Sequence, residues 1–239
     1  MSNPAFYYYP DDSGSLEVVT LPKALSDLHE GTGRERITSY AGDGSARCAV
    51  WNGKRTVRLV LERGLSAANQ RNLLALENHL QRGGMVGFAK DPAKLYATYA
   101  AGGTQRGDTI LYGAGNLFSV WNSGAFASGD EIVVESSNPD MRSEVVTFTS
   151  QTGTQISVSA VVYSSAGALI RHRDFYPALR MADDQVGRPI VTTEHRLAWT
   201  LDVTLETCPE IISRGIDDLY GAALLTFGLS SMTSPARGG

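Results

Sequence analysis

Cysteine is scarce in this sequence, with only Cys48 and Cys208 among 239 residues. Two cysteines cannot build the disulfide framework of a small secreted domain, so we expect buried free thiols in a protein folded in a reducing compartment. Long apolar runs are also missing, because the longest nearly apolar stretch, residues 221–229, is less than half of what a membrane-spanning helix needs. Residues 1–15 have neither a basic nor an apolar segment, which argues against a signal peptide.

Positive charge is not in excess. The chain has 21 Lys and Arg against 25 Asp and Glu, a net charge of −4, which is far from the basic balance of a dedicated nucleic-acid-binding protein. Hydrophobic residues make up 42% and charged residues 19%, as in ordinary globular proteins, and this excludes wholesale disorder. The 25 glycines favour many turns over long helices.

Catalytic motifs are missing as well. Residues 171–174 read RHRD and contain the HRD of a kinase catalytic loop, but position 179 is Leu where a kinase needs Asn. Gly113-Ala114-Gly115 opens a dinucleotide-binding fingerprint, but position 118 is Phe and no helix is predicted to follow. Both motifs therefore fail.

The sequence offers no metal site either. Its four histidines are dispersed, and none has another His or Cys at ligand spacing; they are His29, His79, His172 and His195. The adjacent acid pairs, such as Asp183-Asp184, are typical of solvated turns. We therefore predict no catalytic residues, no cofactor and no metal, and expect a structural or binding protein.

Alternation with a period of two dominates the hydrophobic pattern and predicts β-strands. The first half contains strand patterns at Ser15–Leu21, Arg34–Tyr40, Ala46–Trp51 and Lys54–Leu61. Asn52-Gly53 separates the last two, and this dipeptide is a strong signal for a two-residue hairpin turn. The sequence therefore predicts that those two strands pair with each other.

One segment, residues 66–82, has helical periodicity instead. Ser66 is a plausible N-cap and Gly83 fits the position after the helix. Leu73, Leu76 and Leu80 recur at helical spacing, and Leu74 widens their stripe. This single principal helix is predicted to lie on a sheet.

The composition becomes turn-rich after Gly102, with short strand patterns up to residue 172. A long alternating run, Arg196–Glu206, then places apolar side chains on one face: Leu197, Trp199, Leu201, Val203 and Leu205. Its natural partner is the sheet of the first hundred residues. We predict a mainly β fold, a β-sandwich or split barrel, with residues 1–97 and 173–239 in one domain and residues 98–172 inserted as a small β domain.

We interpret the aromatic residues as members of the hydrophobic core. Phe6 to Tyr9 would be an aggregation hazard as an exposed arm, so we expect a first edge strand packed on the core, or else a segment docked on a partner. Trp51, Trp121 and Trp199 lie within strand patterns, where core packing is the default.

Two segments have a distinctive order of elements. The first is the strand KRTVRLVLERG, followed by the helix SAANQRNLLALENHLQRGG and the short strand MVGFAKD. The second is RHRDFYPALRM, followed by a loop and the strand TTEHRLAWTLDVTLE. Together they resemble the distal tail protein family of long-tailed bacteriophages, often called Dit, or related ring proteins of the baseplate hub, and the second is similar to the way such proteins return to their ring domain after an insertion.

The resemblance implies a tail-tube-like β-sandwich or split barrel with one helix, and no enzymatic activity. It implies a homo-hexameric ring in the virion, at the tail tip, made in the host cytoplasm. Its partners would be the tail tube protein, the baseplate hub protein and peripheral tail fibres, with no membrane insertion. DNA would pass through the lumen without specific binding, along polar side chains for which Glu62, Glu194 and Asp202 are candidates.

Two alternatives remain. A carbohydrate-binding or adhesin module of the tail tip would use Tyr112, Trp121 or Phe126 of the insertion as a stacking face. A hydrolase acting on cell-wall polymer would need two facing carboxylates, which nothing in the sequence marks. Gly-rich loops at residues 31–33, 42–45 and 102–107 favour assembly, because they would gain order mainly by pairing with a neighbouring subunit.

Overall fold

The computed structural model describes residues 3–8, 17–22, 27–32, 35–40, 46–51, 55–61, 67–100, 102–113, 126–136, 143–153, 155–165, 167–182, 185–194 and 198–207. Before the helix, the strands are β1 (Ala5–Tyr8), β2 (Glu17–Thr20), β3 (Asp27–Thr32), β4 (Glu35–Tyr40), β5 (Ala46–Trp51) and β6 (Arg55–Leu61). Helix α1 (Ala67–Gln81), β7 (Val86–Ala89) and a single 3-10 turn (Pro92–Lys94) follow.

The remaining strands belong to the second half of the chain. They are β8 (Ala97–Ala100), β9 (Ile110–Tyr112), β10 (Glu131–Ser136), β11 (Glu144–Thr152), β12 (Gln155–Val158), β13 (Ala168–His172), β14 (Phe175–Met181), β15 (Val191–Glu194) and β16 (Ala198–Thr207). The fold is mainly β with antiparallel sheets, and α1 is the one α-helix of the described residues, as the sequence predicted.

The first sheet has the strand order β2-β1-β7-β14-β16-β6-β3, and β15 pairs with β16. The long strand β16 pairs with β6 through Leu201↔Leu61 to Glu206↔Thr56, so the predicted return to the early sheet is confirmed. Leu201, Val203 and Leu205 are fully buried on its core face. Leu197 and the side chain of Trp199 lie outside the described residues.

Helix α1 covers this core. Leu73, Leu76 and Leu80 are at most 1% exposed and pack with the apolar residues of the sheet, as predicted. Leu74 is 39% exposed, so the prediction that it widens the stripe is wrong, because its position on the helix turns it toward solvent. Gly83 ends the helix with a φ of 82°, a left-handed conformation that favours glycine. The predicted cap Ser66 lies outside the described residues.

The predicted hairpin across Asn52-Gly53 is wrong. Strand β5 pairs with β4, whereas β6 pairs with β3 on one edge and β16 on the other. The β3–β6 ladder reaches Thr32↔Arg55, and the β4–β5 ladder begins at Glu35↔Trp51. The two ladders follow one another along the same pair of chain segments, so tertiary pairing overrides the local turn signal. Asn52 and Gly53 themselves lie outside the described residues.

The second sheet has the strand order β8-β13-β10-β11-β12-β9. Its core is formed by residues such as Ile132, Val146, Phe148, Ile156 and Ile170. Every strand of this sheet falls between Ala97 and His172, and the strands of the first sheet precede or follow that range. Independent folding of residues 98–172 stays a prediction.

The N-terminal aromatic strand is packed, as expected. Phe6, Tyr7 and Tyr8 are at most 4% exposed. Strand β1 is not the edge strand that we predicted, because it pairs with β2 on one side and β7 on the other. Phe6 lies 5.0 Å from Phe88 between ring centroids, and this contact packs β1 against β7.

Candidate functional site at the junction of the two sheets

The chain passes between the two sheets twice, and the two connections lie side by side. The incoming connection, residues 90–96, runs from β7 to β8, and the outgoing connection, residues 173–174, runs from β13 to β14. Ala89, just before the first, and Phe175, just after the second, are partners in the first sheet. On the other side of the junction, Arg171 is the partner of Ala97. The amide of Lys90 donates to the carbonyl of Asp174 at 2.8 Å, which ties the two connections together.

Arg171 is the centre of this junction. Its Nε and Nη2 donate to one carboxylate oxygen of Glu135 at 2.9 and 2.8 Å, and both side chains are 3% exposed. Its Nη1 donates to three backbone carbonyls, those of His172, Arg173 and Phe175. A buried ion pair is tolerable only when its remaining donors are satisfied in this way.

The charge of Arg171 is secured by its neighbours. Burial is the largest influence and acts to lower the pKa of Arg171, but the interactions with Glu135, Tyr176 and Glu30 together outweigh it, so the pKa lies above its usual value. The guanidinium carbon also lies 4.2 Å from the centroid of the Tyr176 ring, a cation–π contact. These neighbours therefore favour the charged form of the Arg171 guanidinium.

Tyr176 extends this network into the first sheet. Its hydroxyl donates to the carboxylate of Glu30 on β3. Burial raises the pKa of Tyr176, and Arg171 only partly opposes this, so the phenol remains protonated and can donate. The line from Glu135 through Arg171 and Tyr176 to Glu30 connects the second sheet to the edge strand of the first.

A second polar cluster surrounds His172. Its Nδ1 accepts the backbone N–H of Asp174 at 3.0 Å, and its Nε2 lies 3.8 Å from a carboxylate oxygen of Asp130. Asp130 in turn accepts Lys94 Nζ at 2.7 Å and the Ala127 amide at 2.6 Å. Although burial acts to raise the pKa of Asp130, the hydrogen bonds from Lys94 and Ala127 hold it below its ordinary value.

The charged side chains of the junction link the two sheets. Three of its carboxylates are matched with cations: Glu135 with Arg171, Asp130 with Lys94, Glu131 with Arg173. In these three pairs each carboxylate contacts a cation, whereas acid–base hydrolysis of a glycosidic bond requires two carboxyl groups that face each other across a cleft. In the part of the chain that the structure describes, no group of His, Cys, Asp and Glu could hold a metal ion.

Two other histidines, His79 and His29, lie apart from this junction. His79 is buried on α1, where its Nε2 lies 3.0 Å from the Met85 carbonyl and its ring 4.7 Å from that of Tyr8. His29 is exposed on β3. His195 lies outside the described residues.

Of the three candidate lumen residues, the structure describes the side chain of Asp202. It forms two hydrogen bonds with Arg58, at 2.9 and 2.6 Å, on the solvent face of the first sheet. Glu62 and the side chain of Glu194 lie outside the described residues. Asp202 is therefore a paired carboxylate and not an isolated negative charge.

The aromatic candidates of the second sheet differ in exposure. Tyr112 is 61% exposed, whereas Phe126 is 7% exposed. The Phe126 ring lies 3.9 Å from that of Tyr96 and 5.1 Å from that of Phe148, so the suggestion that it belongs to a stacking face is wrong: it is a core residue. Trp121, like the side chain of Trp51, lies outside the described residues.

The sequence does not predict the buried network, because residues 171–174 suggest only a failed kinase motif and the start of the segment that resembles tail-ring proteins. One signal was available. Glu135 follows Ile132, Val133 and Val134 directly in a strand pattern, and a carboxylate that continues a buried apolar strand requires a cationic partner. Nothing in the sequence pairs it with Arg171, which is 36 positions away.

Comparison with known proteins gives no identity: no protein-family model matches the chain, and no curated protein matches its sequence. Within the described ranges, no helix has the length and apolar character needed to cross a bilayer.

Proposed function

We propose that this protein is a structural subunit of a bacteriophage tail, a distal ring that joins the tail tube to the baseplate hub and forms part of the DNA channel. The observation that carries the proposal is the organisation of the first sheet: one helix covers it, and the chain leaves it and returns to it at adjacent strands to carry a second sheet. This organisation matches what the resemblance to distal tail proteins implies.

The solvent face of the first sheet supports a role in a channel. On β6 and β16, the residues that alternate with the buried apolar ones include the polar or charged Arg58, Asp202 and Thr204, with Val60 as an apolar exception. Arg58 and Asp202 neutralise each other, although they are 53% and 46% exposed. A polar wall without net positive charge would let DNA slide, because binding to phosphates depends on an excess of Lys and Arg.

The β4–β5 ladder supports assembly. Within the described residues, β4 and β5 pair only with each other, from Glu35↔Trp51 to Tyr40↔Ala46. This ladder continues the β3–β6 ladder as a two-stranded extension, and two strands without further partners are marginally stable in water. Contact with a neighbouring subunit would stabilise such a hairpin, as expected in a ring.

The mass of the native particle tests the proposal. We expect the full chain, at micromolar concentration, to sediment as a particle of about six times 25.6 kDa, and to appear as a ring with a central channel by electron microscopy. A variant in which residues 35–51 are replaced by a short Gly/Ser turn should fold but lose the hexamer. A variant that replaces only residues 41–45 with a Gly/Ser segment of equal length controls for the loop. A wild-type protein that stays monomeric at high concentration would contradict the proposal.

A second candidate function is carbohydrate binding at the tail tip, which the exposure of Tyr112 favours. An aromatic ring that is 61% exposed on the face of a sheet can stack on a sugar ring. If this site exists, Tyr112→Ala should abolish retention on cell-wall polysaccharide from a susceptible host, whereas Tyr163→Ala, at a side chain that is 38% exposed, should not. Equal retention of both variants and the wild type would rule Tyr112 out.

A further inference from the structure

His172 occupies a special place in the outgoing connection, because it is the last residue of β13 and accepts a hydrogen bond from the connection itself. The amide of Asp174 donates to its Nδ1 at 3.0 Å. A ring nitrogen that accepts a hydrogen bond carries no hydrogen, so the neutral ring must carry its single hydrogen on Nε2. This bond can exist only while the imidazole is uncharged.

Charged groups face the ring from each element packed against it. The Asp174 carboxylate lies 4.0 Å from Nδ1, and the Asp130 carboxylate lies 3.8 Å from Nε2. Lys94 and Asp91, at the 3-10 turn of the incoming connection, also act on the ring electrostatically. The Phe126 ring covers one face, 6.1 Å away and inclined by 22°. Each ring nitrogen therefore has a carboxylate oxygen just beyond hydrogen-bonding distance.

We propose that His172 is a pH-sensitive switch in the junction. When its ring takes up a proton from solvent, Nδ1 releases the Asp174 amide and donates to the Asp174 carboxylate instead. Nδ1–H and the Asp174 N–H are both donors, so the observed bond cannot survive protonation. The nearby carboxylate offers the new donor an acceptor. The junction thus has two alternative hydrogen-bonding arrangements, one for each charge state of the ring.

The change would not stay local, because Asp174 also joins the two connections. Its carbonyl accepts the Lys90 amide at 2.8 Å, and the next residue, Phe175, begins β14 opposite Ala89. A shift of the Asp174 backbone therefore loosens both passages between the sheets at once. Arg171 remains paired with Glu135, so we expect looser motion of the sheets and not their separation.

The pH range follows from the surroundings of the ring. Burial lowers the pKa of His172 below its ordinary 6.5, while Asp174 and Asp130 oppose the change. The release of the Asp174 amide therefore belongs to acidic solution, at a pH below 6.5. This inference does not depend on the proposed ring or its partners.

Hydrogen–deuterium exchange of the full chain tests the inference. Electron-transfer fragmentation in the mass spectrometer resolves the Asp174 and Lys90 amides. We expect both to be protected at pH 7.5. After correction for intrinsic exchange, we expect both to lose protection several-fold at pH 5, whereas the amides of β10 and β13 should keep theirs.

Two variants make the test specific. In His172→Asn, the side-chain oxygen can replace Nδ1 as an acceptor but cannot titrate, so protection should be the same at both pH values. Asp174→Asn removes the charged acceptor and should move the loss of protection to lower pH. Arg106→Ala removes an exposed cation that is not among the groups acting on the ring and should keep the wild-type pH profile.

Two results would overturn the inference. One is protection of the Asp174 amide in the wild type that does not change between pH 7.5 and pH 5. The other is a nitrogen-15 spectrum of the His172 ring at neutral pH with the hydrogen on Nδ1, a measurement on the wild type that stays decisive even if a variant fails to fold.

Discussion

Tyr176 on β14 donates its hydroxyl hydrogen to Glu30 on β3, although β16 and β6 lie between these strands in the sheet. Neighbouring strands are about 4.8 Å apart, so a flat sheet would separate the backbones of β14 and β3 by roughly 14 Å. Glu30 is the partner of Val57, a buried core residue, so both side chains lie on the core side. The first sheet must therefore curl around its core until its edge strand approaches β14.

The buried ion pair that continues this contact should be costly to break. Arg171→Met leaves the Glu135 carboxylate buried without a cation, and we expect a loss of about 3–5 kcal/mol in the free energy of unfolding. The double variant Arg171→Met, Glu135→Leu should recover much of that loss, because no uncompensated charge remains. Urea denaturation measures both.

The exposed pair Arg58–Asp202 provides the control for that experiment. Because both side chains are about half exposed, Arg58→Ala should cost only about 0–1 kcal/mol. Similar losses for Arg171→Met and Arg58→Ala would contradict the role given to the junction.

The helix gives a prediction on packing. Leu76 is fully buried against the first sheet, so Leu76→Ala should lower the free energy of unfolding by about 2–5 kcal/mol through lost burial and the cavity left behind. Leu74→Ala, at a side chain that is 39% exposed on the same helix, should change it by about 0.5 kcal/mol or less. If Leu76→Ala moves the denaturation midpoint no more than Leu74→Ala, the helix is not part of the core.

Stability should fall as the pH is lowered from neutrality. The pKa of His172 is below 6.5 in the folded protein because of burial. Below about pH 6.5 the unfolded chain therefore binds a proton at this residue more readily than the native state does, which favours unfolding. The loss grows until the pH reaches the folded pKa and then levels off. Urea denaturation between pH 7.5 and 5 should show this slope in the wild type and a weaker slope in His172→Asn. Parallel curves would refute the assignment.

The domain division predicts that the first sheet folds without the second. We would replace residues 102–166 with a short Gly/Ser linker, which retains the β8–β13 pairing that begins at Ala100↔Ala168. Since this removes Glu135, the test chain also carries Arg171→Met, so that no buried cation is left alone. Calorimetry should show one cooperative transition. A broad, non-cooperative melt would mean that the second sheet is part of a single core.

The sequence predicted the features that depend on neighbouring residues better than those that depend on contacts between distant residues. The stripe of Leu73, Leu76 and Leu80 and the alternation along β16 both arise from side-chain direction within one element, and both predictions are confirmed. Asn52-Gly53 failed because a turn signal cannot compete with pairing partners on both edges of β6. The prediction for Leu74 failed because its position on the helix turns it away from the face that Leu73, Leu76 and Leu80 bury.

The junction could not have been assembled from the sequence. Arg171 and Glu135 are 36 residues apart, and Tyr176 and Glu30 are 146 apart, so no periodicity relates them. Each residue taken alone is ordinary. They become a site only because two connections between sheets pass through one place, and this topology is decided by the whole chain.

The adjacency of the two connections also governs the order in which the protein can form during synthesis. After residue 97, the ribosome makes every strand of the second sheet before β14, which pairs with β7 on the edge away from β1. If β8 and β13 have already paired by then, Ala89 and Phe175 are close together. The entropy cost of closing a loop of some 85 residues has then already been compensated by pairing within the second sheet. Completion of the first sheet then becomes a nearly local event.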